Sequence, residues 1–181
     1  MKRVLVLMLL IGFSSLANAQ PVVGAGLLRL SSDYFDLHAI YITGGYRFDT
    51  GYSDFTVTPE LRLAIGTGYR NGSYTVVSTS FQGYMAQNLK LKRLYGLGVR
   101  GNWRFNNLNV YIEPHLVHYI ILSRNVASSF NSSKFTVGFG VGYRLSRQLS
   151  VEGSMEHFTS KQGDNYTGNI YSVGLSYHLN P

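Results

Sequence analysis

Residues 134–146 alternate without a break between bulky apolar side chains and small or polar ones. Phe135, Val137, Phe139, Val141, Tyr143 and Leu145 share one parity; Thr136, Gly138, Gly140, Gly142 and Arg144 share the other. Successive side chains of a strand point to opposite faces, so this segment has one aromatic-rich face and one face of glycine plus charge. A soluble barrel turns its apolar residues inward and its charges out. Here the polar face carries almost no bulk, which suits a lumen, and the apolar face is continuous, which suits lipid.

The same texture recurs along the chain. Strands are predicted near 22–31, 37–48, 54–68, 93–105, 109–121, 134–146, 149–159 and 169–179. Their connections alternate in length: 49–53, 106–108 and 147–148 are short, whereas 32–36, 69–92, 122–133 and 160–168 are longer on the whole. Short turns on one rim and long loops on the other are the pattern of a transmembrane barrel, with turns at the periplasm and loops outside. Residues 74–85 are also β-prone, and they are assigned to a hairpin rising within the second loop, because a ninth wall strand would break the topology. The expected fold is therefore all-β: an eight-stranded antiparallel outer-membrane barrel in up-and-down order.

The N-terminus supports export. Lys2 and Arg3 precede an apolar run over residues 4–13, and Ala17-Asn18-Ala19 offers a small-x-small cleavage site, so residues 1–19 read as a signal peptide and 20–181 as the barrel domain. The apolar run is shorter than the roughly 20 residues that a spanning helix needs. There is no cysteine, which leaves disulfides, thiol catalysis and cysteine-bound metal without a residue to use. Net charge is +7, of which Lys2 and Arg3 contribute two, and no Lys/Arg run forms a nucleic-acid face.

Aromatic residues gather near the strand ends. Tyr46, Phe48, Phe55, Trp103, Phe105 and Tyr143 lie beside the short turns, and Tyr69, Tyr95, Tyr119, Phe135 and Tyr171 lie toward the loops. These are expected as two interfacial girdles, with Leu61, Leu63, Leu97, Val99, Ile112 and Leu116 between them.

Four stretches carry a family resemblance: Gly44-Gly45-Tyr46-Arg47-Phe48, the run from Pro59 to Gly68, the run from Tyr95 to Asn102, and Tyr171-Ser172-Val173-Gly174-Leu175-Ser176-Tyr177. In these the chain resembles the small outer-membrane barrels of the OmpA/OmpX/Ail type, over essentially the whole segment after residue 19. The resemblance implies a porin-like cell-surface barrel in a Gram-negative outer membrane, inserted by the barrel-assembly machinery. Such proteins usually end on an aromatic residue, whereas this chain ends Leu179-Asn180-Pro181.

Strand parity also sorts the charged residues. Arg47, Glu60, Arg62, Arg100, Arg104, Glu113, His115, Arg144, Glu152 and Glu156 are predicted to point inward. An eight-stranded lumen is just wide enough to be filled by side chains, and unpaired charges there are costly, so these residues are expected to form one ion-pair network. The inward glycines Gly66, Gly98, Gly138, Gly140, Gly142 and Gly174 are expected to make room for the long arginines. That interior is plugged rather than open.

Sharper motifs resolve into structure. Gly96-Leu97-Gly98-Val99-Arg100-Gly101 matches G-x-G-x-x-G, but it lies inside a strand with no helix opening on it. His157 and Thr159 share a lipid-side face, as in the His-x-Ser-Asn string of lipid A deacylases; the serine and the orienting acid are missing. His115 and His118 fall on opposite faces, so no metal or cofactor is assigned. In the loops, Arg70, Lys90, Lys92, Arg124 and Lys161 form a basic set suited to anionic groups, whether lipopolysaccharide of the same membrane or a ligand on another cell. The reading is a non-enzymatic barrel, membrane-structural or surface-interacting through its long second and third loops. A narrow pore and a lipid A-modifying enzyme are the alternatives.

Overall fold

Wherever the sequence alternates, the backbone extends. The computed structural model describes residues 19–33, 35–52, 54–78, 81–124, 129–159 and 167–179, with side chains described outside 71–87 and 130. The predicted signal segment lies outside the described residues except for Ala19. The strands are β1 (Gln20–Ser32), β2 (Asp36–Asp49), β3 (Phe55–Gly66), β4 (Arg70–Ser78), β5 (Phe81–Phe105), β6 (Leu108–Ser123), β7 (Ser129–Arg144), β8 (Leu149–Thr159) and β9 (Thr167–His178).

All pairings are antiparallel, and β1 pairs with both β2 and β9. β3 pairs with β5 from Phe55↔Trp103 to Ala64↔Leu94, bypassing β4 and closing the barrel. The wall therefore has eight strands. β4 pairs only with the outer half of β5, from Arg70↔Leu89 to Ser78↔Phe81. It is the predicted hairpin of the second loop. β5 has 25 residues, far more than the roughly 9–11 that cross a membrane, so its outer half projects beyond the bilayer.

Two boundaries differ from expectation. β6 and β7 stay paired out to Leu122↔Ser129, so the third loop is largely an extended ladder rather than a free loop over 122–133. The register slips between Leu91 and Arg93, a bulge that leaves Lys92 and Arg93 both exposed. The extra residue reverses side-chain parity, so Leu89 and Leu91 face inward above it and Leu94 below it.

The short turns are built by local chemistry. Gly51 at φ +82° and Asp54 at φ +108° turn β2 into β3, and Asn106 at φ +57° turns β5 into β6. Asparagine and aspartate tolerate this left-handed region better than other side chains. In the third turn the Ser146 hydroxyl accepts from the Leu149 amide at 3.1 Å.

The outer face is lipid-facing on energetic grounds. Phe135 and Phe139 are each 65% exposed, and Ile42, Leu61, Leu97, Leu116 and Val173 stand out beside them on every side of the barrel. Exposed apolar surface that is continuous around a molecule requires an apolar partner. Tyr119 departs from the predicted girdle: it is 1% exposed and packs inside, its ring centroid 6.2 Å from that of Phe158. On β6 the odd residues face inward, and Tyr119 shares their parity with Glu113 and His115.

The lumen is layered along the axis. Its loop-side half is apolar, filled by Leu30, Leu37, Leu91, Leu94, Tyr119 and Phe158 among others. The middle holds acids and bases, and the turn-side mouth holds arginines. The plugged, salt-bridged interior expected from strand parity is joined by an apolar plug on the loop side.

Candidate functional site

The middle layer centres on Arg62 of β3, 2% exposed, in a ring of carboxylates. It hydrogen-bonds Glu156 of β8 and lies 3.5 Å from Glu60 and 3.7 Å from Glu113. Arg100 of β5 lies 3.2 Å from both Glu60 and Glu113 and donates to Glu152 at 2.5 Å. The two ring nitrogens of His115 face Glu60 at 3.0 Å and Glu156 at 3.3 Å. Hydroxyls complete the shell: Thr136 donates to Glu156 at 2.7 Å and Ser176 to Glu152 at 2.6 Å. Tyrosine faces cover the guanidiniums, with Arg100 4.2 Å from the Tyr111 ring centre and Arg62 5.5 Å from that of Tyr41.

Seven of the ten charged residues assigned to the lumen thus come together. Arg47, Arg104 and Arg144 do not join them. They lie nearer the turns, where their inward neighbours are Thr56, Asn102, Asn109 and Ser150 rather than acids. Among the described residues no carboxylate comes within 4.0 Å of these three guanidiniums. The glycines also serve a different neighbour from the one expected. A Cβ on Gly98 would fall 1.9 Å from the His115 ring, and one on Gly140 would fall 2.3 Å from the Tyr111 ring. Gly98, Gly140 and Gly174 make room for rings, Gly138 and Gly142 for the glutamates Glu156 and Glu152, and Gly66 for the Leu91 backbone, so none of the six makes room for an arginine.

Glu60, Glu113 and His115 bring ligand atoms within 4.8 Å of one another, a spacing that could hold a cation. The guanidiniums of Arg62 and Arg100 already lie against those same carboxylates, so a further cation would meet charge repulsion. His157, on the outside, faces the Asn169 side chain at 2.9 Å, and no carboxylate is among its described partners. An asparagine in place of an acid gives the imidazole no charge to work against.

Toward the opposite rim, basic side chains from β5 and from the end of β6 lie near one aromatic ring. Lys90 and Arg124 each lie 5.8 Å from the centre of the Tyr69 ring. The Arg124 amide donates to the Asn88 carbonyl at 3.0 Å, which pins it beside the β5 ladder. Arg70 sits opposite Leu89 in register, one residue from both Tyr69 and Lys90, and Lys92 projects from the bulge. Four of the five basic loop residues therefore share one sector of the rim; Lys161 lies outside the described residues. The bulge at Leu91/Arg93 shows in the sequence as the charged doublet Lys92-Arg93, which breaks the alternation between Leu91 and Leu94.

The comparisons agree with the closed-barrel fold. Ail of Yersinia pestis, in a structure with the heparin analogue sucrose octasulfate, is similar at 15% identity and a TM-score of 0.54, over 89% of this chain and 97% of Ail. OprG of Pseudomonas aeruginosa is similar at 13% identity and a TM-score of 0.59, over 90% and 97%. Neisserial surface protein A is similar at 11% identity and 0.51, over 89% and 97%. No curated protein matches the chain in sequence. These likenesses share the closed barrel, and the outer membrane protein beta-barrel domain matches residues 4–178. With a lipid-facing wall, a filled lumen and that match across nearly its whole length, the chain belongs to the outer membrane protein beta-barrel family and resides in the Gram-negative outer membrane.

Proposed function

We propose that this barrel is a non-catalytic surface protein that binds sulfated or phosphorylated saccharides through its basic rim. The carrying observation is the stack of Lys90 and Arg124 on Tyr69, with Arg70 and Lys92 beside it. Holding cations together requires either a counter-charge or a polarisable partner, and the tyrosine face supplies the latter while leaving the N–H donors free for an anion. Lipopolysaccharide phosphates and the glycans of another cell offer the same chemistry. The complex of Ail with a heparin analogue recommends sulfated sugar as the probe.

In this reading the lumenal acid–base layer is structural. Its carboxylates are engaged by guanidiniums and His115, and the apolar plug closes the loop side, so the layer ties strands together rather than holding a substrate. Residues 1–19 are removed on export, and the barrel-assembly machinery inserts the remainder.

The test is binding of sucrose octasulfate and of purified lipopolysaccharide to the refolded protein by calorimetry. Lys90→Ala with Arg124→Ala is expected to weaken binding about tenfold or more, since each charged hydrogen bond contributes roughly 1.5–3 kcal/mol. Equal binding by the variant and the parent would overturn the assignment of this sector.

A further inference from the structure

The three arginines left out of the middle layer gather at the periplasmic end of the lumen. Arg47 and Arg104 line a cavity of about 40 Å³ there, together with Asn102, Asn109, Thr56 and His178. One ordered water needs only about 10–15 Å³ of the same kind of space. Arg144 lies close enough to Arg104 for their charges to repel, and His178 feels Glu152 from the layer above as well as both arginines. The Nε atoms of all three arginines are buried without a hydrogen-bond acceptor among the described residues.

Charge is therefore separated along the axis. The four lumenal carboxylates are all engaged by Arg62, Arg100 and His115 in the middle layer. Glu60 and Glu152 form the upper wall of the cavity, already held by Arg100 at 3.2 Å and 2.5 Å. Asp49 and Asp54 border a second, more open pocket on the turn side of Arg104, beyond ion-pair distance. The cavity is lined by Arg47, Arg100 and Arg104 against Glu60 and Glu152, an excess of one positive charge in a low-dielectric wall, and Arg144 lies beside Arg104.

We propose that this mouth is a binding site for one small oxyanion of the phosphate class. Arg47 and Arg104 line the cavity and supply the charge, Arg144 beside Arg104 adds to it, and Asn102 and Asn109 offer amide donors to the remaining oxygens. Free phosphate and the phosphate of an inner-leaflet lipid headgroup carry the same chemistry. The site is independent of the extracellular rim.

The experiment is a titration of inorganic phosphate into the refolded chain at constant ionic strength, following the arginine Nε–H resonances. In phospholipid-free detergent micelles, Arg47, Arg104 and Arg144 are expected to shift saturably, whereas exposed Arg147 in the neighbouring turn shifts only linearly. Repetition in phospholipid discs separates the sources: saturation by added phosphate identifies a free anion. Signals already at their bound positions, with no further change, identify the headgroup. Arg104→Gln with Arg144→Gln should abolish saturation, its folding checked by heat-dependent gel mobility. Should that variant not fold, the parent titration decides alone. Linear shifts equal to those of Arg147 in micelles would overturn the proposal and leave three guanidiniums merely solvated by water.

Discussion

Arg62 and Glu156 hydrogen-bond across the lumen from β3 and β8, which stand on opposite sides of the eight-stranded wall. This pair ties together two strands that share no ladder, and it does so with both side chains withdrawn from solvent. Glu156→Gln removes the charge while keeping the shape. Breaking a buried pair by changing one partner costs on the order of 3–5 kcal/mol; the nearby Glu60 and Glu113 keep the loss at the lower end, about 3 kcal/mol. Urea unfolding of the refolded barrel in lipid vesicles, compared with the parent, checks this.

Gly140 and Tyr111 form a second contact with a steep size dependence. The Tyr111 hydroxyl donates to the Gly153 carbonyl at 3.2 Å, and the ring fills the space above Gly140. Gly140→Ala should destabilise by about 1–3 kcal/mol, the usual cost of overpacking. Adding Tyr111→Leu should recover part of it. A double-mutant cycle with no coupling would contradict the contact.

Phe139 and Tyr143 face lipid at different depths on β7. Phe139 lies mid-strand opposite Ile112, whereas Tyr143 lies opposite Leu108 at the turn rim. Phe139→Arg should cost about 2–4 kcal/mol and Tyr143→Arg about 0–1 kcal/mol, because the penalty for a lipid-facing charge falls toward the interface. Equilibrium unfolding in vesicles reads both. Equal costs would mean that the two positions lie at the same depth.

The apolar plug seals the loop-side lumen. Planar-bilayer recording of the parent is expected to show no stepwise conductance. Phe158→Ala removes a ring that is 1% exposed and should lower stability by about 3–5 kcal/mol, as a truncated core aromatic does. The current trace should stay flat in that variant as well, since the acid–base layer beneath still fills the barrel.

Binding at the basic rim should depend on salt. The Lys90, Arg124 and Arg70 side chains are at the surface, where charge interactions decay over a Debye length of about 10 Å at 0.1 M and about 3 Å at 1 M salt. Affinity for sucrose octasulfate should therefore fall steeply across that range. Salt-independent binding would point to an apolar contact instead.

Much of this protein was legible before folding because lipid enforces a simple rule. Each strand must present one apolar parity, so Phe135, Val137, Phe139, Val141 and Tyr143 announced both the strand and its orientation. The same parity placed Glu60, Arg62, Arg100, Glu113, His115, Glu152 and Glu156 inside, as the structure has them. Where alternation was diluted, the reading was weaker. Tyr119 was assigned to a girdle because it lies near a strand end and is aromatic, although its odd parity matched Glu113 and His115. The continuation of β6 and β7 to Leu122↔Ser129 rests on serine- and asparagine-rich sequence above the membrane, where no lipid imposes a pattern.

What the sequence determined alone is thus the period of two, and with it the eight-stranded wall and its two faces. It could not determine which acid meets which base. Arg62 reaches Glu156 rather than a neighbour in sequence because barrel closure, strand tilt and stagger set the axial height of each side chain. The same stagger puts the acids in one layer and leaves Arg47, Arg104 and Arg144 in another. The bulge at Leu91/Arg93 leaves Lys92 and Arg93 both exposed, two residues on from Lys90. Those relations arise only when the eight strands close on one another, since axial height depends on inter-strand register and not on position along any one strand.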